Sequence, residues 1–206
     1  MATLETEPAP LTTCGTAVEL LAHFWSRPLP DEVAQWTAWA EVAATCNQAL
    51  LPSGSPAAPA PDPTVAAGEL LDEYERLFVG PGPVPCPPYE SYWRMDVSLD
   101  VRQSLMGPCV GDLRTIYAAM GIEPAADAGE LPDYVASEFE ALAYALASGH
   151  MAPAKALLDE HLLRWLPRLC REVTRHGEVL FYRDLASLTL AWVPAVRREL
   201  GNDEPG

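Results

Sequence analysis

The chain has 206 residues, 49% of them hydrophobic and 20% charged, with 29 acidic against 13 basic side chains and a formal net charge of −16. That is enough chain to bury its own core without a disulfide or metal staple, and the composition is not that of a disordered protein. The negative balance argues against nucleic acid and anionic membrane surfaces, which are held by lysine and arginine, and leaves a basic partner attractive.

The charge is unevenly placed. From Lys155 to Gly206 eight bases balance eight acids, so the whole excess lies in residues 1–154. A field concentrated on one part of a protein steers cationic ligands there. The cysteines, Cys14, Cys46, Cys86, Cys109 and Cys170, are odd in number and form no C-x-x-C. That fits neither a disulfide framework nor a zinc site and predicts small buried thiols in a reducing compartment, with Cys86 placed in a loop where it can be exposed. The first ten residues lack the basic and apolar regions of a signal peptide. No apolar run reaches the length of a membrane span, so the reading is a cytoplasmic protein.

The apolar period is helical nearly everywhere. Val18, Leu21, Ala22 and Trp25 predict a helix over 13–26, ended by Arg27-Pro28. A second is predicted from Pro30-Asp31-Glu32 to about Leu51, with proline and acids in its first turn. Residues 52–63 form a proline-rich loop without period. A third helix starts near Asp62-Pro63-Thr64, carries Leu70, Leu71, Tyr74, Leu77 and Phe78, and stops at Gly80-Pro81. Residues 80–88 hold five prolines and can be neither helix nor central strand. A short helix is expected over 97–106. Gly107-Pro108 opens another, closed by Gly121, and Pro132-Asp133 opens one that ends at Gly149. Residues 153–176 read as a helix interrupted at Pro167, and the last helix runs from about Glu178 to Leu200 with a kink near Pro194. The expected architecture is all-α: one compact bundle of seven or more helices forming a single domain over 1–206, with an aromatic Pro/Gly loop at 79–93.

Signatures of catalysis are missing. There is no phosphate-binding G-x-x-x-x-G-K-[ST], no H-E-x-x-H, no E-x-x-H and no G-x-S-x-G. His23, His150, His161 and His176 lack paired spacing and read as surface or capping residues. No metal ligands, cofactor site or catalytic residues are assigned. Two segments stand apart. In residues 74–93, Leu77, Phe78, Tyr89, Tyr92 and Trp93 flank the proline loop, making a rigid aromatic surface suited to an apolar segment of a partner. The alternative is that these aromatics only pin the loop to the core. In Leu131-Pro132-Asp133-Tyr134, followed by Glu138, Asp133 and Tyr134 read as an exposed helix start. Asp133 there is either a charge favoured by the helix dipole or a carboxylate awaiting a guanidinium.

Together these segments resemble the TorD/DmsD/NarJ family of molybdoenzyme maturation chaperones, the redox enzyme maturation proteins. The carrying motifs are Y-x-x-L-F-V-G-P from Tyr74 to Pro81, P-P-Y-E-S from Pro87 to Ser91, and P-D-x-x-x-x-E at Pro132, Asp133 and Glu138. H-L-L-R-W-L-P from His161 and F-Y-x-x-L-A-x-L-T from Phe181 add to them. The chain departs from the family pattern at Gly82, where some members carry a tryptophan, and at Tyr134, which stands where P-D-H is common.

The resemblance implies an all-helical, non-enzymatic chaperone. Its partner would be the apo form of a molybdopterin oxidoreductase catalytic subunit and its twin-arginine leader, held until the cofactor is inserted. Leu77, Phe78, Tyr89, Trp93, Pro132, Asp133, Tyr134 and Glu138 are the implied peptide-binding residues, with Asp133 and Glu138 facing a leader arginine and Phe78, Tyr89 and Trp93 facing the apolar stretch. No cofactor of its own, no nucleic acid and no stable membrane association are implied, and monomer and swapped homodimer both stay open. The alternatives are a NarJ-like assembly factor that needs no leader, and a helical GTP-binding enzyme.

Overall fold

In the computed structural model, residues 10–29, 36–53, 67–94, 107–123 and 131–202 are described. The expected helix over 97–106, the start of the second helix and nearly all of the 52–63 loop lie outside them. Along the described chain run α1 (Pro10–Trp25), α2 (Trp36–Leu50), α3 (Ala67–Tyr74), α4 (Glu90–Trp93), α5 (Pro108–Ala119), α6 (Val135–Ala147), α7 (Met151–Ala156), α8 (Leu163–His176) and α9 (Leu180–Asn202). The one strand-like feature among the described residues is an isolated antiparallel bridge between Tyr89 and Tyr134. The expected all-helical fold is what forms. No helix of the described residues is long and apolar enough to cross a membrane.

The apolar stripes read from the sequence meet in one buried cluster. Helix α1 lies against α6, α2 and α9, and α8 packs along α9. Trp25, Trp165, Trp192, Phe24, Phe139, Phe181 and Tyr182 are fully buried there. A buried indole N–H needs an acceptor. Trp25 Nε1 donates to Thr189 Oγ1 at 3.0 Å and Trp192 Nε1 to Asn47 Oδ1 at 2.6 Å, tying α1 and α2 to α9.

Two helices widen where the sequence period gave no warning. α3 continues into a π turn over Glu75–Val79 and ends at Gly80, whose φ of 103° suits glycine. α7 runs through a π turn over Leu157–Leu162 straight into α8. The expected break at Pro167 is therefore displaced: α8 continues through the proline, and the irregularity sits one turn earlier. The ring of a helical proline strikes the carbonyl four residues back, here that of Leu163, where the wide turn closes. Helix α4 is likewise unforeseen, a single turn after the proline loop.

A buried carboxylate joins α3 to the α8–α9 corner. Glu73 Oε1 accepts from the Glu178 amide at 2.6 Å and the Val179 amide at 3.2 Å, capping the start of α9. It also accepts from Arg76 Nη2 at 2.7 Å, and Arg76 Nη2 in turn donates to the His176 carbonyl at the end of α8. One acid and one base thus satisfy both loose helix ends at this corner.

Glu73→Ala is expected to lower the unfolding free energy by about 2 kcal/mol, because it orphans those amides and the guanidinium. Arg27→Ala, which breaks the exposed pair of Arg27 with Glu75, should change it by less than about 1 kcal/mol. Urea denaturation of both variants reads the contrast, and equal losses would refute the role given to Glu73.

Candidate functional site

The two segments singled out from sequence meet. The Glu90 amide donates to the Asp133 carbonyl at 2.9 Å, and the Val135 amide donates to the Pro88 carbonyl at 2.9 Å. These bonds lay P-P-Y-E-S against the P-D turn that opens α6. Asp133 Oδ2 then accepts from the Ser91 amide at 3.1 Å, serving the free N–H groups that start α4. The Tyr89 and Tyr134 rings lie 5.9 Å apart. The Tyr74 and Tyr134 hydroxyls stand 2.6 Å apart, Tyr134 Oη donates to the Trp25 carbonyl at 3.2 Å, and Tyr117 Oη donates to the Pro132 carbonyl at 2.8 Å. Trp93 Nε1 closes the loop on itself by donating to the Pro87 carbonyl at 2.6 Å.

The expected exposed helix start is corrected here. Asp133 is 0% and Tyr134 5% exposed. Residues near a helix N-terminus are usually wetted; these are covered because the loop bearing Tyr89 and Glu90 lies over them. Pro132 is buried as well, and so are Leu77, Phe78 and Glu138. Phe78 stacks among Tyr74, Trp25 and Tyr182, as core. Of the peptide-binding residues expected from sequence, Tyr89 and Trp93 keep partial exposure, and beside them Tyr92 is 46% and Val79 54% exposed. The accessible part of the site is therefore an aromatic rim, Tyr89, Tyr92 and Trp93, above a buried floor. Cys86 also differs from expectation: it is fully buried, and burial pushes its thiol up to about 12, the opposite of an activated nucleophile.

The floor holds a polar network that sequence reasoning missed. Glu90, fully buried, accepts from Arg94 Nη1 at 2.6 Å on Oε1 and faces His161 Nδ1 at 2.7 Å through Oε2. Arg94 also donates to the Glu160 carbonyl at 3.0 Å. Glu138, on α6, takes the Trp165 indole N–H at 3.4 Å, and among the described residues neither its Oε1 nor Asp133 Oδ1 has a hydrogen-bond partner. His161 is thus a buried member of this network, and the surface or capping role expected of it is corrected. A lone histidine carries no sequence signal for burial. Glu90 was visible within P-P-Y-E-S, but only the fold shows that it points inward.

Glu90, Glu138 and His161 offer ligand atoms within 4.8 Å of one another, the arrangement a metal ion would need. Both Glu90 oxygens are already engaged, and the Arg94 guanidinium supplies on the same carboxylate the positive charge a cation would bring. The arrangement is built to bury charge, joining loop, α6 and the π turn before α8. Burial raises the Glu138 carboxyl well above the ordinary range, and the neighbouring Glu90 carboxylate adds to it. Asp133 is raised too, chiefly by burial, against the pull of its hydrogen bond from the Ser91 amide.

Residues 28–171 match the family model described as the nitrate reductase delta subunit. The chain belongs to that family. It is 31% identical over 125 residues to the Tat proofreading chaperone DmsD of Salmonella typhi and 30% identical over 125 residues to that of Salmonella typhimurium, in each case across 59% of this chain and 59% of the relative. The chain thus matches about three-fifths of the length of these relatives. Among solved structures it is similar to a candidate redox enzyme maturation protein from Archaeoglobus fulgidus, with a TM-score of 0.55, 19% identity and coverage of 98% of this chain and 99% of that one. At that identity the likeness speaks to the fold.

A carboxyl whose folded pKa is raised stabilises the fold most at low pH and loses that contribution as pH climbs above its unfolded value. Glu138→Gln keeps the shape without the ionisation. The variant is therefore expected to gain on the wild type in unfolding free energy as pH rises from about 5 to about 8. Urea midpoints at both pH values read this, and a difference that ignores pH would refute a raised Glu138.

Proposed function

We propose that the protein is a non-enzymatic cytoplasmic chaperone that binds the twin-arginine leader and the apo form of a molybdopterin oxidoreductase catalytic subunit, aiding cofactor insertion and proofreading before export. The observation that carries this is the junction of P-P-Y-E-S with the P-D turn under an aromatic rim, in a chain of this family whose similar curated proteins are named Tat proofreading chaperones. A rigid proline loop presenting Tyr89, Tyr92 and Trp93 offers apolar area at low entropic cost, which is what an apolar leader stretch needs. The acidity of residues 1–154 draws the leader's arginines toward it.

The buried floor divides the roles. Asp133 and Glu138, proposed as receivers of a leader arginine, are covered by the loop, so a guanidinium reaches them only if residues 80–94 lift. Asp133 acts first by holding the rim in place through the Ser91 amide. Tyr134 backs the rim through its contact with Tyr89, while Leu77, Phe78 and Pro132 are buried.

Tyr92→Ala is expected to weaken binding of a synthetic twin-arginine leader peptide about tenfold, the loss of roughly 1.4 kcal/mol of apolar contact. Glu138→Gln should leave it within about twofold, since the carboxyl lies under the loop. Isothermal titration of both variants decides. An unchanged Tyr92→Ala would remove the rim from the site, and a collapse of affinity in Glu138→Gln would show that the peptide reaches the floor. Wild-type protein that binds an apo catalytic subunit but no leader would support the assembly-factor alternative.

A further inference from the structure

Helix α8 carries Arg164, Arg168, Arg171 and Arg175, spaced four, three and four residues apart. Residues at these steps share one face, so the four form a row about 16 Å long. The opposite face, Trp165, Leu166, Leu169, Cys170 and Val173, is buried, which turns the row outward. Arg164, Arg171 and Arg175 are exposed and Arg168 is half-buried.

Among the described residues this row is short of carboxylates. Arg164 Nε gives a hydrogen bond to the Asp159 carbonyl at 2.9 Å and Arg168 Nη1 one to the Trp93 carbonyl at 3.2 Å, both backbone acceptors. Arg175 Nη1 stands 3.7 Å from Glu172 on the surface. Arg171 has no hydrogen bond or ion pair among the described residues. An ordinary solvated helix face interleaves signs, because like charges three or four residues apart repel. In a chain with 29 acids and 13 bases, four arginines in one unbroken row depart from that pattern.

We propose that this row is a docking surface for an acidic polypeptide segment whose carboxylates repeat at helical spacing. A small anion spans one or two of these side chains, whereas the row extends over three turns. Steps of four and three residues are those of a seam between two helices, and arginine's planar fork suits carboxylates. The Arg168 bond to the Trp93 carbonyl makes the row continuous with the aromatic rim, so a protein held at the rim reaches α8 with its next segment. Resting on the chaperone reading in this respect alone, the segment belongs to the client beyond its leader.

The test uses the full chain and a labelled, alanine-based 18-residue helical peptide carrying glutamates four, three and four apart. A control peptide has the same composition with the glutamates at two-residue steps. Saturable binding of the first, weakening as salt rises and weaker for the control, is expected by fluorescence anisotropy. Arg171→Glu and Arg164→Glu, made separately, should each reduce it about tenfold while leader affinity stays unchanged. No saturable binding, indifference to both substitutions, or equal binding of the control peptide or of a single-stranded oligonucleotide would overturn the proposal. Failure of wild-type protein to bind leader would count against the chaperone reading and leave the row standing.

Discussion

A carboxylate removed from water must be given a counter-charge, hydrogen bonds or a proton, and the structure around the P-P-Y-E-S loop is arranged by that requirement. Glu90 takes the first two, from Arg94 and His161. Asp133 takes a backbone amide from the start of α4. Glu138 takes little beyond a long bond from Trp165, and burial drives it toward the protonated form. Because the three acids come from two segments far apart in sequence, satisfying them fixes the loop to α6 and to the turn before α8. The aromatic rim then has no independent position: it stands where the acids beneath it are paired.

That coupling separates two kinds of residue that a motif runs together. In P-P-Y-E-S, Tyr89 is half-exposed while Glu90 and Ser91 are buried. In P-D-x-x-x-x-E, none of the three named residues reaches the surface. Most motif residues thus build the support, and the contact surface draws on Tyr92, which the motifs pass over, beside Tyr89 and Val79 within them. The Glu73–Arg76 pair does the same for the far end of the loop, anchoring the helix that leads into it to the α8–α9 corner.

Much of the fold was legible in the sequence. The periods of α1, α5, α6 and α9 and the glycines after α5 and α6 place those helices to within a few residues, because apolar spacing and positive-φ caps are local properties. The π turns were not legible, since widening a turn by one residue leaves composition unchanged and depends on what the helix packs against. Helix α4 was hidden by the prolines before it. At the site, the meeting of the two segments was legible only as a resemblance, and its depth not at all. The sequence places Asp133 at a helix start, where water is the usual neighbour; whether a loop covers it is a tertiary fact. His161 is the sharper case, a single histidine whose partner lies 71 residues away.

The wide turn at Leu157–Leu162 sets the rotational phase of everything after it. Each residue turns a regular helix by about 100°, so one residue more or fewer swings the downstream helix by over a quarter turn. In the present phase Trp165 faces Glu138 and the four arginines face away from the core. With one residue deleted, the same sequence would carry its cationic edge round toward the apolar interior and its tryptophan toward solvent. A single irregular turn therefore decides which side of α8 is core and which is surface, and natural variation in this stretch should spare its length more strictly than its composition.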